Sequence, residues 1–111
     1  MKIVNRMAAQ GDVLFVKVGA VPADAKESKL QGRLVVAHSE TGHHHFLEVV
    51  PGMRHYTGAD STIAYLTLGE EADVIHARPH DTHETLRLAP GHWQVRRQRE
   101  YVPEGWRRVE D

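Results

Sequence analysis

The feature that most constrains this chain is its punctuation. Turn-forming residues recur roughly eight to twelve residues apart, and the runs between them are too short for helices. Gly11-Asp12 opens Val13-Leu14-Phe15-Val16-Lys17-Val18, a β-branched and aromatic run that Gly19 closes. Runs of similar character follow at 33–38, 43–50, 53–57, 62–68, 72–77, 84–88 and 92–101. Pro51-Gly52 and Pro90-Gly91 are the strongest breaks, and Gly42, Gly58, Gly69 and Pro79 mark the others. Apolar residues nowhere repeat at a 3.6-residue spacing over helical length. Residues 20–32 form the longest connection, where Pro22 permits a helical turn but no apolar stripe supports a full helix. The expectation is an all-β fold: a compact roll or small barrel of seven to eight short, mostly antiparallel strands. One domain is expected over 1–111, with 1–10 as a lead-in or short edge strand and 102–111 as a polar tail.

At 111 residues the chain can bury one core and no second. No apolar run approaches the roughly 18 residues that span a bilayer. The first residues, Met1-Lys2-Ile3-Val4-Asn5-Arg6-Met7, lack the apolar core and cleavage site of a signal peptide. A cytoplasmic protein without membrane contact is expected. The chain contains no cysteine, which excludes disulfides and thiolate metal sites, so any metal must be held by nitrogen and oxygen. The net charge of −1 argues against coating nucleic acid by bulk electrostatics.

Histidine is the anomaly. Nine occur in 111 residues, most of them between His38 and His83, against a usual frequency of about 2%. His43, His44 and His45 lead directly into Phe46-Leu47-Glu48-Val49-Val50. On a strand, alternate residues share a face. His43 and His45 therefore lie with Leu47 and Val49, while His44, Phe46 and Glu48 take the other side. Two imidazoles two residues apart can converge on one ion. His80-x-x-His83, at a turn entering a strand, can supply two more ligands, with His76 in reserve. Sites of three or four histidines, or three histidines and a carboxylate, suit zinc first and iron or manganese next. A fully protein-ligated ion would be structural. An open position would activate water, with Glu48 or Glu84 as the general base. The plainer alternative is a histidine-rich surface loop, and His38, His55 and His92 are assigned to ordinary exposed or packed roles. Clustered histidines can also act as a metal-free pH switch.

The C-terminal run carries a second signal. Trp93, Val95, Arg97, Arg99 and Tyr101 share one strand face, and His92, Gln94, Arg96, Gln98 and Glu100 the other; Trp106 follows. Arginine interleaved with aromatic residues can grip phosphates and stack on bases. The competing reading is an edge strand whose arginines prevent edge-to-edge pairing, with Trp93 in the core. Arg96, Arg97, Arg99 and Trp106 are the candidates for a nucleic-acid or protein partner, a second copy of the chain included.

Two resemblances follow from these motifs. His43-x-His45, Glu48 and Pro90-Gly91-His92 resemble the metal-binding pattern of the cupins, β-barrels whose ion sits on H-x-H, Glu and His. Glu48 comes earlier than that pattern has it, and Ala37 stands where a cupin has glycine. Gly11-Asp12-Val13-Leu14, Thr41-Gly42-His43-x-His45, His80-x-x-His83 and the run from Leu88 to Tyr101 resemble a group of small uncharacterised bacterial and phage proteins. That resemblance implies that the two histidine pairs belong together, and it brings no activity.

Overall fold

A computed structural model describes residues 3–10, 13–37, 45–60, 62–76 and 85–97. The described residues contain eleven strands and no helix: β1 (Ile3–Val4), β2 (Met7–Gln10), β3 (Val13–Val18), β4 (Lys26–Ser28), β5 (Arg33–Ala37), β6 (His45–Glu48), β7 (Arg54–Thr57), β8 (Ile63–Leu68), β9 (Ala72–His76), β10 (Leu86–Leu88) and β11 (Gly91–Arg97). The all-β expectation holds, but the strands outnumber the seven or eight expected. The extra ones are β1, β2 and β4. β1 has two residues and β2 reads Met-Ala-Ala-Gln, so neither carries a usable period. β4 reads Lys-Glu-Ser, against strand propensity, and becomes a strand only through pairing with β7.

The strands form a five-stranded sheet in the order β1-β10-β9-β6-β5 and a six-stranded sheet in the order β2-β3-β11-β8-β7-β4. All pairings are antiparallel except β1 with β10. The inward residues of both sheets meet in one cluster. Leu47, Val74, Ala72 and Leu88 come from the first sheet, and Phe15, Ala64, Leu66, Trp93 and Val95 from the second. Alternation explains the choice. In β8 the burial pattern of Ile63-Ala64-Tyr65-Leu66-Thr67-Leu68 switches at every residue, as one face meets the core and the other meets solvent. Trp93 lies fully buried at the centre, and its indole N–H donates to the Ala89 carbonyl at 2.9 Å. Among the described residues no helix is long and apolar enough to cross a membrane.

Pro51-Gly52 forms the tight turn its sequence announces. Met53 N–H donates to the Val50 carbonyl at 3.1 Å, and Gly52 has φ +81°, the left-handed value a type II turn needs after proline. A Cβ on Gly52 would stand 3.2 Å from Gly69 Cα, and one on Gly69 would stand 3.3 Å from Gly52 Cα. The two connections that cross between the sheets at this end, β6 to β7 and β8 to β9, thus touch backbone to backbone.

Removing the central indole by Trp93→Ala should lower unfolding free energy by about 3–5 kcal/mol in urea titrations. Ile3→Ser, at a position 51% exposed on the edge, should change it by no more than about 0.5 kcal/mol.

Candidate metal centre

β6 begins at His45, and the alternation of the strand decides what each residue meets. His45 and Leu47 point inward, at 4% and 0% exposure. Glu48 points outward, is exposed, and accepts a hydrogen bond from Arg33 at 3.1 Å. The grouping of His45 with Leu47 against Phe46 and Glu48 is as the sequence pattern implies. It also separates Glu48 from His45: the first of the two candidate bases lies on the opposite face of the strand from the histidine it would serve. Phe46, outward too, is covered by the Arg33 guanidinium, whose carbon sits 4.0 Å from the ring centroid.

Facing His45 across the core is Gln10, the last residue of β2. The two are the buried polar side chains among the described residues. His45 Nδ1 lies 2.7 Å from Gln10 Oε1, and Gln10 Nε2 donates to the Val74 carbonyl at 3.0 Å. Gln10 therefore links the six-stranded sheet to two strands of the five-stranded one, to the His45 side chain on β6 and to the backbone of β9. Nothing near Gln10 in the sequence points to this role, since its partners stand 35 and 64 residues away. The only local hint is a polar residue at an inward position of a short apolar strand.

Arg97 makes a second link at the same end. It closes β11 opposite Val13, which itself pairs with Gln10, and its Nη1 donates to the Val36 carbonyl at 2.8 Å. β5 carries a register shift between Val35 and Ala37, so Val36 is the extra residue of a bulge. A bulge takes its carbonyl out of the regular ladder and leaves it able to accept from a side chain. Arg96, by contrast, is exposed on the outer face. The two described arginines of the predicted binding strip thus lie on opposite faces, and Arg99 and Trp106 lie outside the described residues.

The ladder brings one further histidine position to this end. His45 is the Cα partner of His76, the last residue of β9. The chain leaves the described residues at Ala37 and returns at His45, and leaves again at His76. His43, His80, His83 and Glu84 lie outside the described residues. Among the described residues no three His, Asp or Glu side chains gather closely enough to hold a metal ion. A groove of about 570 Å³, lined by Glu48, Glu70, Glu71, Asp73, Ile75 and Arg87 among others, has no part in this constellation. Its Asp73 and Arg87 are already joined at 2.7 Å.

Two histidines left out of the metal set have ordinary surroundings. His92 Nδ1 is 2.9 Å from the Thr67 hydroxyl on the outer face. His55 is half-buried on β7, pairing with Leu66 and Ser28. Burial, and then the positive charge of Arg97, hold its pKa below the ordinary 6.5.

A family model described as "Domain of unknown function (DUF8820)" matches residues 9–98. No curated protein and no solved structure matches the chain.

The His55 shift sets the sign of a pH effect. The unfolded chain takes up this proton near pH 6.5, while the folded chain resists it until lower pH. Stability from this group is present above that value and is lost as pH falls toward the depressed folded pKa. Relative to His55→Gln, the wild type should therefore lose unfolding free energy below pH 6.5. Chemical unfolding at a series of pH values checks this, and parallel curves would refute it.

Proposed function

The chain belongs to the DUF8820 family, a domain family of unknown function, and within it we propose that the domain binds one divalent transition metal ion through its histidines. The ligands are His43, His45, His80 and His83, with His76 as a further donor, and zinc is the favoured ion ahead of iron and manganese. One observation carries the reading: the start of β6 lies beside the end of β9, with His45 opposite His76. In sequence, the two histidine pairs are close to these two residues. His43 is two residues from His45, and His80 is four residues beyond His76. A cysteine-free chain with this density of imidazole has the donor chemistry for such an ion.

The burial of His45 supports an ion that organises the fold. A metal-dependent hydrolase or cupin-like enzyme draws less support, because it needs an open coordination position and a nearby base, and Glu48 faces away. A nucleic-acid or assembly role draws less again, since Arg96 and Arg97 do not share a surface.

Elemental analysis of purified, untagged protein tests the proposal. One equivalent of zinc, iron or manganese is expected in the wild type and absent from a His43→Ala/His83→Ala double variant. Binding should also raise stability, by about 2.7 kcal/mol at a free metal concentration of 100 times Kd. A wild type that remains metal-free after reconstitution with each ion would overturn the reading.

A further inference from the structure

We infer that Gln10 is a positioning residue that decides which nitrogen His45 offers to a metal, holding Nδ1 protonated so that Nε2 is the ligating atom. The inference deepens the metal-binding proposal and rests on it. The argument begins at the Val74 carbonyl, which can only accept a hydrogen bond. The end of the Gln10 amide that faces it at 3.0 Å must be the NH2. The amide oxygen is then the atom 2.7 Å from His45 Nδ1, and it too can only accept. Nδ1 must carry the hydrogen. Turning the amide round would set two acceptors against each other, with Gln10 1% exposed and little water to relieve them.

In a neutral imidazole with Nδ1 protonated, the lone pair sits on Nε2. A ligating histidine commonly donates its other ring N–H to a carbonyl or carboxylate oxygen, which fixes the tautomer and the ring plane. Gln10 supplies that oxygen, and Val74 in turn holds Gln10. The arrangement relays orientation from the backbone of β9, through the end of β2, to a side chain of β6. A purely mechanical tie between the sheets would need the same Nδ1–H, but it would leave zinc binding independent of Gln10. The two roles therefore separate in zinc affinity and in the nitrogen whose resonance zinc shifts.

Two-bond ¹⁵N–¹H correlation spectra of metal-free, uniformly labelled wild type should show His45 protonated at Nδ1 and unprotonated at Nε2, with zinc shifting the Nε2 resonance. Zinc affinity, measured by competition with a chromophoric chelator, should fall roughly ten- to a hundred-fold in Gln10→Leu. The inference is overturned if the wild-type proton sits on Nε2, or if Gln10→Leu binds zinc as tightly as the wild type. A wild type that binds no zinc overturns the metal reading and this inference with it, whereas undiminished binding by Gln10→Leu sinks this one alone. Should Gln10→Leu fail to fold, the wild type still decides: zinc that binds without shifting His45 Nε2 overturns the inference.

Discussion

The arrangement of this molecule depends on a hydrogen-bonded relay through an otherwise apolar interior: Val74 carbonyl, Gln10 amide, His45 imidazole. Apolar packing between two sheets is strong but nondirectional, and by itself it tolerates sliding. A buried amide whose NH2 and oxygen each meet a fixed partner does not. A slip of β2 by one residue would turn Gln10 outward and an alanine inward, leaving His45 without this oxygen. The relay therefore pins an edge strand that has little else to define it. The link from Arg97 to Val36 acts in the same direction, from the six-stranded sheet to a carbonyl of the five-stranded one. One end of the sandwich is thus tied by polar side chains.

Much of the fold is legible in the sequence because alternation and turn chemistry are local. β3, β8 and β11 announce themselves through β-branched and aromatic runs closed by glycine or proline, and Trp93 and Val95 lie inside as their spacing implies. For residues 1–10 the sequence offered only a lead-in or a short edge strand, and it did not separate β1 from β2 or show β4 at all, because each exists through its neighbour: two residues beside β10, an alanine pair beside β3, and Lys-Glu-Ser beside β7. In the last case charge at a sheet border matters more than propensity, since Lys and Glu discourage further pairing there.

The candidate site divides the same way. The inward direction of His45 follows from strand parity, and so does the outward direction of Glu48, which parity alone could have used to demote it as a base. The role of Gln10 could not be read at all, because it exists only once β2, β6 and β9 come together. Arg97 shows a related limit. A pattern of alternating arginine and aromatic residues suggests a binding strip, yet the same alternation sends neighbouring arginines to opposite sides of the sheet. The bulge at Val36 gives the inward one its acceptor.

The contact between Gly52 and Gly69 lies at the other end of the sandwich from His45. There the crossovers meet through bare backbone, and any side chain at either position would have to push them apart. The two ends consequently differ in how they can evolve. The polar end can exchange one donor or acceptor for another of similar reach, so its chemistry can drift while the sheets stay joined. The glycine end offers no such substitutions. A side chain there would have to move the backbone of the facing crossover by a few tenths of an ångström, so the opposite rim is where side-chain chemistry can change at least cost to the frame.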